Sequence, residues 1–395
     1  MKTESKSNVT SAKRFAIFLP HLFGGGAERA MVNLAHGLLD RGFTVDLVLG
    51  LKKGPYLANV RPEVNVIDLG TNKMWDKVKG LAKYMKEYQP RGLVSSLDNI
   101  NIASIAKWRA GVATRVIINV QNHVTTDLAS YKGFKAWMKP KVLRFMYKKA
   151  DEVICVSHGV ADDLIDMGLP KSLVGVIHNP VMNANIDALA AEPVDHPFLK
   201  PGMPPVLVAV GRLTLQKDYP NMLQAFAAVR RRGHDLNLLI LGQGELKAQI
   251  EAQIEQLELT DHVSLAGFAA NPYAYISKAR MFVLSSQWEG LPTVVMEALA
   301  CGTPVVSTDC PSGPYEILDK GAFGELCPVN DAIALADAIE RSLSKPVDSQ
   351  RLKDRAKIYA ADLAIDKYID VLDPPARDRS RDAAGATTPL KASAV

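Results

Sequence analysis

The stretch Arg14-Phe-Ala-Ile-Phe-Leu-Pro-His-Leu-Phe-Gly-Gly-Gly-Ala-Glu-Arg-Ala-Met-Val-Asn-Leu-Ala-His-Gly-Leu-Leu39 decides the fold. It opens on a short apolar run, Arg14–Leu19, and turns through glycines. It then continues with apolar residues at Met31, Leu34, Ala35, Leu38 and Leu39, the spacing of a helix with one packed face. A buried strand that turns on glycine into an amphipathic helix is the unit of a parallel sheet wound with helices. The unit recurs at Val206-Leu-Val-Ala-Val-Gly-Arg212, followed by the helical pattern of Asn221–Arg230.

Outward from these two anchors, apolar runs alternate with helical patterns along most of the chain. The first half offers strands at Arg14–Leu19, Thr44–Gly50, Val64–Leu69, Gly92–Ser96, Val116–Val120, Val153–Val156 and Val174–His178. The second offers Val206–Gly211, Leu236–Leu241, Val263–Gly267, Met281–Ser285 and Pro304–Thr308. Between them, Asn179–Pro205 holds six prolines and no clear period, which marks a domain boundary. The expected division is a first α/β domain over 1–180, a linker over 181–205, a second α/β domain over 206–372 and a disordered tail over 373–395. Two doubly wound sheets in tandem can turn the C-terminal ends of their strands toward a shared cleft, where ligands of such sheets bind.

The length of 395 residues suits two such domains, and 48% hydrophobic with 23% charged residues describes an ordinary globular chain. No run of about 18 uncharged apolar residues occurs, so no transmembrane helix is expected. The basic start followed by Phe15–Leu19 superficially suggests a signal peptide, but its apolar core stops at Pro20-His21, so it reads as the first strand. Four scattered cysteines, Cys155, Cys301, Cys310 and Cys327, form no C-x-x-C and have only His158 nearby. They read as reduced thiols of a cytoplasmic protein, and no metal site is expected.

Three clusters could carry chemistry. Glycines before the helix at Ala27 let backbone N–H groups approach an anion at a positive helix end. A dinucleotide fingerprint fits badly, because Arg29 stands where its third small residue belongs and Asp46 falls inside a strand. A plain tight turn or a loop facing phosphate or sugar remains. In the second domain Arg212 ends a strand and Lys217-Asp218 follows, a planar fork and a point charge that could grip a diphosphate or simply be solvated. Trp288-Glu-Gly-Leu-Pro-Thr-Val-Val-Met-Glu297 places Glu289 in a loop and Pro292 at a helix start. The N–H groups of Thr293 and Val294 then face the cleft, and Glu297 lies just inside the same helix. Two carboxylates flanking an anion-binding helix end suit a nucleotide sugar.

Together Gly24-Gly-Gly-Ala-Glu-Arg29, Val210-Gly-Arg-Leu-x-x-x-Lys-Asp218, Leu241-Gly-x-Gly-Glu245 and Glu289-Gly-Leu-Pro through Gly302-Thr-Pro-Val305 resemble the retaining GT-B glycosyltransferases of family four, over roughly residues 14–345. That fold is two Rossmann-like domains facing a central cleft. The resemblance implies that Arg212 and Lys217 hold the diphosphate of a nucleotide-sugar donor, a UDP-sugar by preference, and that Glu297 meets its ribose. It implies that Glu289 with Gly290, Leu291, Pro292, Thr293 and Val294 holds the donor sugar, that Gly25 and Gly26 approach that sugar, and that Gly211, Gly242, Gly244 and Glu245 line the donor site. His123 falls on the family's active-site histidine, although Gln121-Asn122 before it departs from the usual neighbours. Retention of configuration rests on the resemblance alone. The chain contains no D-x-D, so no metal cofactor is expected and Arg212, Lys217 and the helix end would carry the leaving charge.

Within the family, the Gly-Gly-Ala-Glu-Arg loop, Ser96-Leu-Asp-Asn-Ile-Asn101 and the basic first domain look like transferases that extend lipid-linked glycans or lipopolysaccharide cores. Asp98 and Asn101 are candidates for the acceptor. Residues 72–149 hold 16 Lys/Arg against 4 Asp/Glu, an excess of +12 that leaves −7 for the remainder of a chain whose net charge is +5. Within them Tyr131–Lys149 interleaves Lys132, Lys135, Lys139 and Lys141 with Phe134, Trp137, Leu143, Phe145 and Tyr147. That mixture suits an anionic membrane surface at the cytoplasmic face, or else a solvated face over a packed helix. No nucleic-acid motif accompanies the charge. A nucleotide-sugar epimerase, which needs no acceptor, and a non-catalytic binding module are the competing readings.

Overall fold

The computed structural model describes residues 13–23, 25–97, 101–129, 133–182 and 185–374, and of 134–136 the backbone alone. Its strands form two sheets, parallel throughout. The first contains β1 (Arg14–Leu19), β2 (Thr44–Leu49), β3 (Asn65–Asp68), β4 (Gly92–Ser96), β5 (Arg115–Val120), β6 (Glu152–Cys155) and β7 (Val174–Val176), in the order β3-β2-β1-β4-β5-β6-β7. The second contains β8 (Val206–Val210), β9 (Asn237–Leu241), β10 (Val263–Gly267), β11 (Met281–Leu284), β12 (Val305–Thr308) and β13 (Glu325–Cys327), in the order β10-β9-β8-β11-β12-β13. Helices cover both faces, which is why central strands such as β1 and β9 are nearly continuous apolar runs, buried residue by residue.

Both sheets reverse their winding beside the first strand. The chain moves outward from β1 to β3 and returns on the other side at β4, and it does the same around β8 at β11. The loops leaving those strands part in opposite directions and open a crevice at their C-terminal ends. The glycine turn after β1 and the Gly211-Arg212 loop after β8 both sit at such points.

The strands fall where the apolar runs predict, within one or two residues at each end. β13 is the exception, because Glu325-Leu-Cys327 opens on a charged residue and offers no run of apolar ones. The domain division needs two corrections. Residues 181–205 hold the helix Ile186–Ala191, tied to the second domain by Ser277 Oγ donating to the Ala190 carbonyl at 2.8 Å and by Asn271 Nδ2 donating to that of Leu189 at 2.8 Å. The last helix, Ala361–Leu372, lies within the span expected for the second domain but packs on the first. There Ile365 lies over Gly37 and Leu372 over Gly92. Asn119 Nδ2 donates to the Tyr368 hydroxyl at 2.8 Å, Arg115 Nε to the Val371 carbonyl at 2.7 Å, and Asp373 pairs with Lys13 and Arg91. The apolar face of this helix finds its cover across the cleft, and Asp373 is held rather than loose. The rest of the expected tail, from 375 on, lies outside the described residues.

Candidate active site

Where β8 ends, Asp218 takes the left-handed conformation (φ +47°) and caps the helix Tyr219–Arg231, accepting from the Asn221 N–H at 3.4 Å. This turn throws the residue before it, Lys217, into the crevice. The Lys217 Nζ donates to Glu289 Oε1 at 2.5 Å, and Ser286 Oγ donates to the same oxygen at 2.6 Å. The two loops are stitched along their length: Ser285 Oγ donates to the Lys217 carbonyl at 2.7 Å, and the Gln287 N–H to that of Gln216 at 2.8 Å. Two residues distant in sequence thus form one buried ion pair at the switch point. Arg212 stands exposed at the tip of β8 with no side-chain partner among the described residues.

The Gly242-x-Gly244 turn serves the protein first. A Cβ on Gly242, at φ +155°, would lie 1.8 Å from the Gly211 carbonyl oxygen, and one on Gly244 would lie 2.3 Å from that of Leu213. These glycines therefore seat the loop after β9 against the loop after β8, while Glu245 beyond them is exposed.

Leu291 and Thr293 are buried, and Pro292 precedes the helix Thr293–Ala300 as its N-cap, one place earlier than the first turn expected of it. The opening N–H groups of a helix have no partner within it. Facing them is Gly26, the first residue of the helix Gly26–Asp40, where a Cβ would lie 3.1 Å from Thr293 Oγ1. Two helix N-termini therefore converge from opposite domains, each with the positive end of its dipole toward the other, and the buried Glu28 carboxylate lies in the first turn of one of them, against Gly25. Glu297 is fully buried and forms an ion pair with Arg29 of the opposite helix.

His123 follows β5. Its Nδ1 lies 3.0 Å from Thr126 Oγ1, 3.2 Å from Thr125 Oγ1 and 3.5 Å from Asp163 Oδ2. Asp163 in turn accepts the N–H groups of Val124 (2.7 Å) and Thr125 (3.1 Å). One buried carboxylate thus holds the start of the helix Val124–Ala129 and the ring beside it. Gln121, two residues before His123, bonds to Asn119 and exchanges bonds with Asn179 at 2.8 and 3.1 Å. Its carbonyl oxygen rests against Gly290, where a Cβ would come within 1.8 Å, so only glycine admits this approach of the two domains.

Further contacts shut the cleft. Trp288 Nε1 donates to Asp127 Oδ1 at 2.9 Å, and Ser157 Oγ to the Gly290 carbonyl at 2.7 Å. Glu316 of the second domain accepts from the His158 N–H at 2.9 Å and meets His178 Nε2 at 2.8 Å. Burial pushes the Asp127 carboxyl above its ordinary range, against the pull of hydrogen bonds from Trp288 and Asn122. Burial also acts to raise Glu316, but the bonds from His178 and His158 outweigh it and hold that carboxyl low. The sequence reading missed Asp163, Asp127 and Glu316. Each has a partner between 38 and 161 residues away, and no local spacing announces those long-range contacts.

Of the acceptor-side residues, Asp98 and Lys132 lie outside the described residues, as does the side chain of Lys135. Asn101 needs a correction: it is fully buried, caps the helix Ile102–Ala110 by accepting the Ser104 N–H at 3.1 Å, and donates to the Met146 carbonyl at 2.6 Å. Both ends of its amide are engaged by the fold and none of its surface is exposed to an acceptor. The helix Phe134–Tyr147 carries Lys139 and Lys141 and turns Leu143 and Tyr147 into the core, while Trp137 and Phe145 stay 57% and 60% exposed. The Lys141 Nζ lies 3.6 Å from the centre of the Trp137 ring. The cysteines are unpaired, and burial raises their thiols, Cys301 and Cys327 to about 12. No helix among the described residues is long and apolar enough to cross a membrane.

Comparison with known proteins gives the same picture from outside. The sequence profile described as Glycosyltransferase Family 4 matches residues 24–182, and the one described as Glycosyl transferases group 1 matches residues 192–359. The chain is 30% identical over 362 residues, 88% of its own length and 95% of its relative's, to the N-acetylgalactosamine-N,N'-diacetylbacillosaminyl-diphospho-undecaprenol 4-alpha-N-acetylgalactosaminyltransferase of Campylobacter jejuni. It is 26% identical to a lipopolysaccharide core biosynthesis glycosyltransferase of Rhizobium meliloti, over 88% of this chain and 96% of that one. Among solved structures it is similar to the lipopolysaccharide outer core galactosyltransferase WaaB, with TM-score 0.69, 20% identity and 91% and 99% of the two chains covered. It also matches Anabaena Alr3699/HepE in complex with UDP, with TM-score 0.73, 17% identity and 91% and 99% covered.

Proposed function

Since the chain belongs to the GT-B glycosyltransferases, a Family 4 domain followed by a group 1 domain, we propose that it transfers a sugar from a nucleotide-diphosphate sugar, a UDP-sugar by preference, to a lipid-linked glycan or lipopolysaccharide-core acceptor. The transfer proceeds with retention of configuration and without a metal, at the cytoplasmic face of the membrane. The named relatives extend such acceptors. The observation that carries the reading is the Lys217–Glu289 pair beside the two converging helix ends.

In that reading the donor diphosphate lies against the adjoining helix ends at Gly26 and Thr293. The bond from the sugar C1 to the diphosphate oxygen breaks, a bond from C1 to an acceptor hydroxyl forms on the same face, and the hydroxyl proton passes to the departing diphosphate. Negative charge grows on the leaving oxygen. Lys217 has three N–H donors, so one can stay on Glu289 while another meets a phosphate, and Arg212, unpartnered at the strand tip, adds its fork. Groups already aimed at developing charge lower the barrier without reorganising. Glu289 and the backbone after it hold the donor sugar, and His123, its ring fixed by Asp163 and Thr126, faces the reacting carbon from the first domain. The exposed Trp137, Phe145 and lysines of the helix Phe134–Tyr147 supply the surface that rests on anionic headgroups.

The test is transfer from UDP- and GDP-sugars to undecaprenyl-diphosphate-linked acceptors, with the new linkage assigned by NMR. Formation of an α-linkage from an α-donor in excess EDTA supports the donor, the acceptor, retention and metal independence. An inverted product overturns retention, restoration by Mn²⁺ alone overturns metal independence, and conversion of the donor sugar without acceptor makes the protein an epimerase.

A further inference from the structure

Arg29 and Glu297 present a pair of unused polar atoms where the two domains meet. Glu297 lies five residues into the helix Thr293–Ala300 and has no exposed surface. Arg29 lies four residues into the helix Gly26–Asp40, which approaches from the other domain with its start against Thr293. Their ion pair uses Glu297 Oε1 and one terminal nitrogen of the guanidinium. Glu297 Oε2 and Arg29 Nε are both buried and have no hydrogen-bond partner. A buried carboxylate oxygen and a buried guanidinium N–H left unpaired are costly, and here the acceptor and the donor belong to the two partners of one ion pair.

That pairing is the complement of a vicinal diol. One hydroxyl donates its hydrogen to Oε2 and its neighbour accepts the N–H of Nε, so both orphan atoms are satisfied at once. We infer that Arg29, a residue of the first domain, completes the diol-binding end of the donor site with Glu297, so that the donor is gripped from both domains. The inference rests on the nucleotide-sugar reading above and deepens it. A nucleotide sugar offers two such diols, one on the ribose and one on the transferred sugar, and the ribose is the better fit. Glu289, the other carboxylate of the site, is already paired with Lys217. Recognition of the donor and closure of the cleft then depend on the same two side chains.

The experiment compares UDP with 2′,3′-dideoxy-UDP, and GDP with its dideoxy analogue, by calorimetry on the full chain. The wild-type protein is expected to prefer the ribonucleotide by about tenfold or more, the worth of a hydrogen bond to a charged group. In Arg29→Met that preference falls to about twofold or less, and Arg29→Lys recovers part of it. If instead both ligands weaken equally in Arg29→Met and the preference survives, Arg29 is only structural and the inference is overturned. If the preference appears only between UDP-glucose and UDP-2-deoxyglucose and is lost in Arg29→Met, the diol is the transferred sugar's and Arg29 still grips it. Lys217→Ala separates this inference from the donor reading. It should weaken UDP and dideoxy-UDP alike, and if it does so while Arg29→Met keeps full preference, only the role of Arg29 falls. If the wild-type protein binds neither UDP nor GDP, the donor reading falls and takes the inference with it.

Discussion

At the scale of single residues, the Lys217–Glu289 pair ties catalysis to stability. Its side chains are 14% and 8% exposed, so Lys217→Ala leaves a buried carboxylate held by Ser286 alone and should cost about 3 kcal/mol of stability. The same change should lower kcat by about a hundredfold, more than it weakens donor binding, because the lysine meets charge that grows during the reaction. Glu289→Ala should lower kcat too and also blur the choice among donor sugars. Melting curves and steady-state kinetics over a donor panel check both, and wild-type kinetics in either variant would remove that residue from the site. Much of this pair was legible beforehand, because Lys217 and Glu289 each sit in a motif with its own turn and helix signals. Their contact was not: the motifs assign one to phosphate and the other to sugar, and nothing in local spacing says that the ammonium rests on the carboxylate. Asp163 shows the same limit more sharply. It reads as an ordinary helix acid beside Asp162, and only folding brings the start of the helix Val124–Ala129 to it.

At the scale of elements, periodicity located the strands well and the surfaces less so. In the helix Phe134–Tyr147 the sequence shows aromatic and basic residues alternating, and only packing tells that Tyr147 faces inward and Phe145 outward. The outward set argues for headgroup contact, each basic residue contributing roughly 1 kcal/mol. Converting Lys132, Lys135, Lys139 and Lys141 to Glu should abolish flotation with anionic vesicles at low salt and reduce transfer to a lipid acceptor, while transfer to a water-soluble acceptor analogue continues. Full lipid transfer in the quadruple variant would refute this. The helix Ala361–Leu372 has a hydrophobic pattern that predicts a packed face without saying on what. Its Tyr368 hydroxyl satisfies Asn119 in the interior of the first domain, so Tyr368→Phe should lower stability by about 1–2 kcal/mol. Chemical denaturation would show it, and because Asn119 also holds Gln121, kcat should fall while KM for the donor stays near the wild-type value.

At the scale of the whole molecule, Glu316 joins the domains. Its carboxyl is held below the ordinary 4.5 by hydrogen bonds that outweigh burial. A folded-state value below the unfolded one contributes stability that is present above about pH 4.5 and is lost as the pH falls through the folded value. The melting temperature of the wild-type protein should therefore exceed that of Glu316→Gln above about pH 4.5, and the margin should shrink as the pH falls below it. A margin that does not change with pH would show that the carboxylate charge is not what joins the domains. The two-domain architecture was readable because each half repeats the strand, turn and helix unit. The crossing of the last helix was not, since a helix pattern does not name the surface that covers it. That crossing also limits how the cleft opens. The chain passes between domains twice, after Pro180 and again before Ala361, and the passages touch: Met182 bridges Ala360 in parallel, and the Ala361 N–H donates to the Met182 carbonyl at 3.1 Å. A single tether would let the domains swivel and twist freely. Two adjacent tethers, like two pins on one edge of a door, leave one easy rotation, which parts Gly26 from Thr293 while Met182 and Ala360 stay together. The distance between donor and acceptor sides then follows a single angle.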